Sequence, residues 1–253
     1  MSFLDEMARS SAERARTLDG EALRWTPAQP KTLELSGFTL IAEVKHRAPS
    51  SGVLAPAGDV LERVSAYVEA GASAVSVLTE PSRFDGQLAH LEAASARALT
   101  MRKDFLVHPD QVWEARAAGA SGVLLIARML DDDALCEMLD TAEEAGLFVL
   151  LEAFDATDLA RCNVDWSAPQ PLLVGVNCRD LRTLQVDPDR LRSLAPFLPR
   201  DRVVIAESGL ETPDDAARVA EWGYRGALVG TALMRAGDPG ALVRAMREAG
   251  GGT

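Results

Sequence analysis

Short apolar runs alternate with amphipathic segments along most of the chain, after an amphipathic N-terminal stretch from Phe3 to Leu18. Such runs are typical of buried parallel strands, and the segments between them are typical of helices packed on a sheet. The third run is the weakest and is predicted mainly from its place in the series. The eight predicted strands are Thr39–Val44, Ala74–Leu78, Ala98–Met101, Gly122–Ile126, Phe148–Leu151, Leu172–Val176, Val203–Ala206 and Ala227–Val229.

The boundaries between these elements repeat as well. A glycine ends the helical pattern before four of the strands, at Gly71, Gly119, Gly146 and Gly223, as expected of a left-handed helix cap. Helix starts are predicted where a capping residue precedes proline or forms a capping box. These starts are His108-Pro109, Asp187-Pro188, Thr212-Pro213, Asp238-Pro239, and Asp59 with Glu62.

Eight βα units with no linker rich in Pro, Gly or Ser predict one (β/α)8 TIM barrel. A doubly wound sheet is less suitable, because it typically has about five to seven strands and a glycine-rich first turn that this chain lacks. We expect a single domain over residues 1–253, with a helical extension at 1–37 and the barrel at 38–253. The extension would place an extra helix over one end of the barrel.

Composition and charge narrow the function classes. The chain is 47% hydrophobic and 25% charged, which is ordinary for a globular protein. A net charge of −12 without a basic run argues against nucleic acid and anionic membranes as partners. No apolar run approaches the roughly 20 residues of a membrane span, and the N-terminus is acidic where a signal peptide is basic. We therefore expect a cytoplasmic monomer or homodimer that acts on a small molecule.

No metal site is predicted, because the residues that usually bind metals are scattered without ligand spacing. They are Cys136, Cys162, Cys178, His46, His90 and His108.

Polar residues follow nearly every predicted strand. In a TIM barrel the carboxyl ends of the strands carry the functional residues. Any one of these residues could be polar only because a strand end is exposed to solvent, but solvent exposure explains the whole set less well. In strand order the set is Glu43 and Lys45, Thr79 and Glu80, Lys103, Arg128, Glu152, Asn177 and Arg179, Glu207 and Ser208, and Gly230 and Thr231.

Lysine is rare in this chain, with three lysines against 23 arginines, and two of the three follow predicted strands. Lysine presents a compact ammonium group that can lose and regain a proton, which arginine cannot do. Glu43 and Lys45 alternate with Val44 and so point to the same side of the strand. A carboxylate at Glu152, behind an apolar run, needs a cationic partner. The lysines and carboxylates together predict acid–base chemistry on a sugar or carbonyl carbon.

Two further features concern substrate binding. Small residues end the seventh and eighth strands, at Ser208-Gly209 and Gly230-Thr231, before short helical segments. Either could be a tight turn, but together they predict a phosphate site made of backbone N–H groups and a helix N-terminus. Asn177 and Arg179 could bind a substrate carboxylate.

These motifs resemble the indole-3-glycerol-phosphate synthase family over about residues 38 to 240. The matching stretches include Ile41-Ala42-Glu43-Val44-Lys45, Arg102-Lys103-Asp104-Phe105, Gly175-Val176-Asn177-Cys178-Arg179-Asp180-Leu181, Ala206-Glu207-Ser208-Gly209 and Leu228-Val229-Gly230-Thr231-Ala232-Leu233-Met234-Arg235. The resemblance implies a lyase of tryptophan biosynthesis that needs no cofactor. That reaction converts 1-(2-carboxyphenylamino)-1-deoxyribulose 5-phosphate into indole-3-glycerol phosphate, with loss of carbon dioxide and water.

The resemblance also implies roles for the catalytic set. Lys103 would be the general acid that polarises the ketone, and Glu152 the general base for rearomatisation. Lys45 would neutralise the anthranilate carboxylate, with Asn177 and Arg179 close by, and would supply a proton during dehydration. Glu43 would be an acid–base or orienting partner of Lys45.

For Glu207 the resemblance leaves two roles open, contact with substrate hydroxyls or orientation of a lysine. The benzene ring would lie in a slot lined by Phe84, Phe105, Leu124 and Leu181. The phosphate would bind at Ser208, Gly209, Gly230 and Thr231.

Three positions depart from the family pattern. Ala48 stands where serine is usual near the phosphate, Gln87 stands where serine is common, and Arg128 stands where a small residue is common. Two other functions stay open. A phosphoribosylanthranilate isomerase-like barrel would share the last two strands but has no need of the Glu43-Lys45 and Lys103 motifs. A non-catalytic barrel that binds a phosphorylated ligand is favoured only by Ala48.

Overall fold

The computed structural model describes residues 2–45, 47–48, 52–53, 60–180 and 185–251. Eight parallel strands close into a barrel in which each strand pairs with its neighbours in chain order and the first strand also pairs with the last. The predicted TIM barrel is confirmed. The strands are β1 (Thr39–Val44), β2 (Ala74–Leu78), β3 (Thr100–Lys103), β4 (Gly122–Ile126), β5 (Phe148–Ala153), β6 (Leu172–Asn177), β7 (Val204–Glu207) and β8 (Gly226–Val229).

Helices follow the strands and pack on the outside of the barrel. The predicted glycine caps are confirmed, because Gly71, Gly119, Gly146 and Gly223 all have φ between 69° and 96°. The described helices are α1 (Phe3–Ala15), α2 (Gly20–Arg24), α3 (Val60–Glu69), α4 (Pro81–Phe84), α5 (Leu88–Ser95), α6 (Pro109–Ala117), α7 (Asp132–Glu144), α8 (Ala156–Arg161), α9 (Pro188–Leu194), α10 (Pro213–Glu221), α11 (Thr231–Arg235) and α12 (Pro239–Gly251). The four predicted proline starts are those of α6, α9, α10 and α12, whereas the predicted cap Asp59 lies outside the described residues.

The side chains of each strand alternate between two apolar clusters. On β1, Leu40 and Ala42 pack outward against the helices, whereas Ile41 packs inside the barrel with Leu124 and Ile205. Glu43 is two residues beyond Ile41 and therefore also points inward. The strand period thus directs every second residue near the carboxyl ends into the barrel mouth.

Five predicted strands have other bounds in the structure: the seventh is Val204–Glu207 and not Val203–Ala206, the eighth begins at Gly226 and not Ala227, and the third, fifth and sixth are longer or shifted at their carboxyl ends. The third strand runs from Thr100 to Lys103 and not from Ala98 to Met101, so it includes Arg102 and Lys103. The fifth and sixth strands likewise extend past their apolar runs to include Glu152 and Asn177. The polar groups at these ends have protein partners inside the barrel, so the strands continue past the apolar runs from which they were predicted.

The N-terminal segment contacts the barrel at both of its ends. Near the carboxyl ends of the strands, Met7 of α1 packs with the inner cluster of the barrel. At the amino ends, the Lys31 ammonium group donates hydrogen bonds to the carbonyls of Ser95 and Ala98, and the backbone N–H of Leu33 donates to the Gln170 side chain. Lys31 is therefore a structural lysine, unlike the two that follow strands.

Within the described part of the chain, no helix is long and apolar enough to cross a membrane. Cys136, Cys162 and Cys178 are free thiols.

Candidate active site

A cavity of about 380 Å³ lies at the carboxyl ends of the strands. This size is within the range of small-molecule sites, roughly 300 to 1,000 Å³. Thirteen of the fifteen predicted site residues line it: Glu43, Lys45, Phe84, Lys103, Phe105, Leu124, Glu152, Asn177, Arg179, Ser208, Gly209, Gly230 and Thr231. Glu207 is buried next to the cavity without lining it, and Leu181 lies outside the described residues.

The two lysines that follow strands share one carboxylate. Lys45 Nζ donates a hydrogen bond of 2.6 Å to Glu43 Oε1, and Lys103 Nζ lies 3.4 Å from Glu43 Oε2. Lys103 Nζ is also 3.7 Å from Glu207 Oε2. Lys103 is thus held between two carboxyl groups from β1 and β7.

The electrostatics of this cluster fix which groups carry charge. Burial alone would raise the pKa of Glu43, but the ammonium groups of Lys45 and Lys103 lower it to about 2. Burial works against the charge on Lys103, yet Glu43, Glu207 and Glu152 together raise the pKa of Lys103 above its ordinary value. At neutral pH Lys103 therefore holds a proton that it can direct into the cavity.

Glu152 is connected to the predicted phosphate loop by a chain of hydrogen bonds. Asn177 Nδ2 donates to Glu152 Oε1 at 2.5 Å, and Asn177 Oδ1 accepts from Ser208 Oγ at 2.8 Å and from the Arg179 backbone N–H at 2.9 Å. Burial raises the pKa of Glu152, although Lys103 and Asn177 act in the opposite direction. A carboxylate with a raised pKa is better suited to accept a proton near neutral pH.

Glu207 is the most deeply buried carboxyl group of the site. It is 1% exposed, and neither of its side-chain oxygens makes a hydrogen bond among the described residues. Burial and the charge of Glu152 raise the pKa of Glu207 well above its ordinary value. Glycine at position 175 makes room for it, because a Cβ there would lie 2.0 Å from Glu207 Oε1.

Three aromatic side chains line the same cavity as the charged cluster. The rings of Phe84 and Phe105 have centroids 6.2 Å apart, and Phe3 of α1 packs edge-on against Phe105 at 5.7 Å. Phe3 also lines the cavity. Sequence reasoning predicted Phe84 and Phe105 but missed Phe3, whose signal was only its place at the start of an amphipathic stretch.

The loops after β7 and β8 have the conformations that a close approach of ligand and backbone requires. Ser208 has φ of 69°, which is rare for a residue with a side chain, and Gly209 has φ of 72°. The Ser208 hydroxyl is held by Asn177. Gly230 precedes α11 at Thr231, and a Cβ at Gly230 would lie 2.3 Å from Glu43 Oε1 and 2.9 Å from Lys45 Nζ.

A second ion network is centred on the buried Asp104, next to Lys103. Asp104 accepts two hydrogen bonds from Arg14 of α1, at 2.9 and 2.8 Å, and one from Thr79 Oγ1 at 2.8 Å. Arg102 Nη2 lies 3.3 Å from Asp104 Oδ2. Burial opposes ionisation, but Arg14 and Arg102 lower the pKa of Asp104 to about 2. Sequence reasoning missed this network because Arg14 and Asp104 are 90 residues apart.

The three departures from the family pattern have different positions. Arg128 binds Asp158 at 2.7 Å and lies over the Phe154 ring at 4.7 Å, so it anchors the β5–α8 loop outside the cavity. Gln87 is exposed at the start of α5. Ala48 lies in a short hairpin strand, Arg47–Ala48, that pairs with Gly52–Val53.

The barrel itself is shared with solved structures of low sequence identity. It matches 3-hexulose-6-phosphate synthase from Salmonella typhimurium with a TM-score of 0.63 at 16% identity, covering 84% of this chain and 98% of that one. It matches thiamine phosphate pyrophosphorylase from Pyrococcus furiosus with a TM-score of 0.59 at 18% identity, covering 84% and 95%. These similarities concern the fold alone. The barrel and its charged cluster define the class, a TIM barrel with buried lysine and glutamate side chains at the carboxyl ends of its strands.

Sequence comparison identifies the family. Residues 29–246 match the family model of indole-3-glycerol phosphate synthase. The indole-3-glycerol phosphate synthase of Nocardioides sp. is 49% identical over 213 residues, which cover 83% of this chain and 80% of that protein. The enzyme of the same name from Streptomyces griseus is 40% identical over 249 residues, which cover 98% of this chain and 88% of that protein. The chain belongs to the indole-3-glycerol phosphate synthase family.

Proposed function

We propose that this protein closes the indole ring of 1-(2-carboxyphenylamino)-1-deoxyribulose 5-phosphate, with loss of carbon dioxide and water, in the cytoplasm. The observation that carries the proposal is the position of Lys103. Its ammonium group lies in the cavity between Glu43 and Glu207, and Glu152 lines the same cavity. A protonated donor and a separate carboxylate acceptor are the two groups that this reaction needs.

Lys103 acts in the first half of the reaction. It donates a hydrogen bond and then a proton to the ketone oxygen of the substrate while the ring carbon that bears the carboxylate attacks the ketone carbon. The new carbon–carbon bond forms, and the bond between the ring carbon and its carboxylate then breaks, so that the carboxylate leaves as carbon dioxide and its bonding electrons return to the ring. Glu43 keeps Lys103 protonated, since its own pKa of about 2 leaves it an anion at neutral pH.

Glu152 and Lys45 act in the second half. Lys45 supplies the proton that lets the hydroxyl group leave as water, and Glu152 accepts the proton whose removal makes the new ring aromatic. Asn177 orients Glu152 through the 2.5 Å hydrogen bond. Lys45 also balances the substrate carboxylate, and Arg179 lines the same cavity.

Glu207 acts through Lys103. It does not line the cavity, so the role we assign to it is to orient the lysine, not to contact substrate hydroxyls. The benzene ring would lie against Phe84, Phe105 and Leu124, and the phosphate at the loops after β7 and β8.

The test is turnover of the purified protein with this substrate, followed by the rise of indole fluorescence without metal or nucleotide. Lys103→Ala should lose at least roughly 100-fold in kcat, as expected for removal of a general acid. Lys31→Ala is the matched control, because it removes a lysine from the opposite end of the barrel, and it should keep its kcat. Absence of signal from folded wild-type protein would overturn the proposal and favour a ligand-binding barrel.

A further inference from the structure

We propose that Arg235 is a binding residue for the phosphate group of the substrate and supplies the positive charge that the phosphate site otherwise lacks. This inference rests on the proposed function for the identity of the substrate. The phosphate site itself is the surface formed by Ser208, Gly209, Gly230 and Thr231. Arg235 is the last residue of α11, which begins at Thr231.

The helix places Arg235 over the phosphate site. Thr231 and Arg235 are four residues apart and so lie on the same face of α11. A long side chain on a helix points back towards the helix N-terminus and covers the preceding turn. Both residues line the active-site cavity, which confirms that this face of α11 is turned towards it.

The charge at this end of the cavity is unbalanced without Arg235. A phosphate monoester carries a charge of roughly −2 at neutral pH, whereas the four residues of the phosphate site are neutral. Lys45 Nζ lies beside Gly230, but it is paired with Glu43 Oε1 at 2.6 Å and is already assigned to the substrate carboxylate. A further cation is therefore needed at this end.

Arg235 is available for that role. In the part of the chain that the structure describes, Arg235 is exposed and its side chain forms no hydrogen bond or ion pair, whereas Lys45 and Lys103 are each paired with Glu43. The planar guanidinium group can bind two phosphate oxygens at once, which suits a dianion at the rim of a cavity. Glu211 is the opposing charge, since it is exposed and lines the same cavity.

The experiment compares Arg235→Gln with Arg225→Gln. Arg225 is also exposed and lies just before β8, at the opposite end of the same βα unit, so both variants lose one positive charge. Arg235→Gln should raise KM roughly tenfold or more and leave kcat within about twofold, because a charge-assisted hydrogen bond is lost from binding but not from the reacting atoms. Arg225→Gln should change neither.

A second readout uses inorganic phosphate as the probe, with its affinity measured by calorimetry. Arg235→Gln should weaken phosphate binding, whereas Glu211→Gln should leave it unchanged or strengthen it, because a like charge is removed. An arginine that merely stabilises the end of α11 would change the unfolding midpoint but not phosphate affinity. If Arg235→Gln does not fold, Arg235→Lys replaces it and should lose part of the affinity.

The outcomes separate this inference from the proposed function. If wild-type protein turns over the substrate and Arg235→Gln matches Arg225→Gln in KM and phosphate affinity, the role of Arg235 is wrong and the function stands. If there is no turnover but Arg235→Gln still weakens phosphate binding, the anion site stands and the reaction is wrong. Absence of phosphate binding to wild-type protein together with an unchanged KM in Arg235→Gln overturns the inference.

Discussion

At Gly175 the carboxyl group of Glu207, which positions Lys103, leaves no room for a side chain. Gly175 lies within β6, and a Cβ there would lie 2.0 Å from Glu207 Oε1 and 3.3 Å from Leu150 Cδ1. We predict that Gly175→Ala displaces the Glu207 carboxyl group and, with it, Lys103. Because small displacements of catalytic groups are costly, kcat should fall roughly 10- to 100-fold. Steady-state fluorescence assays would measure it.

The effect should depend on Glu207. In a Glu207→Ala background the extra methyl group has room, so Gly175→Ala should lower kcat by no more than about twofold further. Gly237→Ala is the control, because a Cβ there meets no atom within 4 Å. Equal losses in both backgrounds would show that Gly175 acts through the strand and not through Glu207.

Among single residues, the ionisable side chains of the site could be predicted from the sequence, whereas the residues that position them could not. Glu43, Lys45, Lys103 and Glu152 could be predicted because an ionisable residue after an apolar strand is conspicuous. The need for glycine at position 175 could not be predicted, because it depends on the direction of the Glu207 side chain. A glycine inside a predicted strand was the one available signal, because it often marks a close approach.

At the scale of elements, helix α1 is docked onto the barrel beside Lys103. Arg14 binds both oxygens of Asp104, which directly follows Lys103 at the end of β3. We predict that Arg14→Met costs about 3 kcal/mol in the free energy of unfolding, because a buried carboxylate loses one of its partners. Urea unfolding would measure that cost. KM should also rise, since Phe3 of α1 lines the cavity.

The matched control is an exposed ion pair of α1. Glu6 binds Arg83 at 2.5 Å, with both side chains nearly half exposed. Because solvent screens such pairs, Glu6→Gln should cost less than about 1 kcal/mol. Similar costs for Arg14→Met and Glu6→Gln would contradict a special role for the Arg14–Asp104 pair.

The same network explains why β3 was the least well predicted strand. Arg102 is 3% exposed in the middle of it and binds Glu114 at 2.6 Å and the Gln111 carbonyl at 3.0 Å. An arginine in a strand suggests a surface position when the sequence is read alone. Here its charge is balanced by acids from the strand end and from α6, which only the closed barrel brings together.

At the scale of the whole molecule, the repeated βα unit predicts the barrel and its polarity. The glycine caps at the amino ends of strands and the polar residues at their carboxyl ends have the same period, so the sequence alone predicts which end carries the site. The contacts of the N-terminal segment with both ends of the barrel could not be predicted. Lys31 and Leu33 contact the amino ends and Phe3 the mouth, through contacts that leave no periodic signal.

The buried acids predict two opposite dependences of stability on pH. Asp104 has a pKa of about 2 against 3.8 without burial or partners. In the unfolded chain Asp104 binds a proton more readily than in the folded chain. The contribution of Asp104 to the free energy of unfolding is therefore complete above pH 4 and is lost as the pH falls towards 2. Glu207 has a raised pKa, so its effect on stability is most favourable below the unfolded pKa of 4.5 and declines as the pH rises through the folded pKa.

Two variants would separate these effects in urea unfolding between pH 2 and 8. Asp104→Asn should be less stable than wild type at pH 7, and the difference should shrink by about 2 kcal/mol towards pH 2, because one pKa unit corresponds to about 1.4 kcal/mol. Glu207→Gln should instead gain stability relative to wild type as the pH rises above 4.5, because glutamine cannot ionise. A constant difference for Asp104→Asn across this range would mean that its carboxyl group has an ordinary pKa, and the Arg14–Asp104–Arg102 network could not then be what holds α1 beside the catalytic lysine.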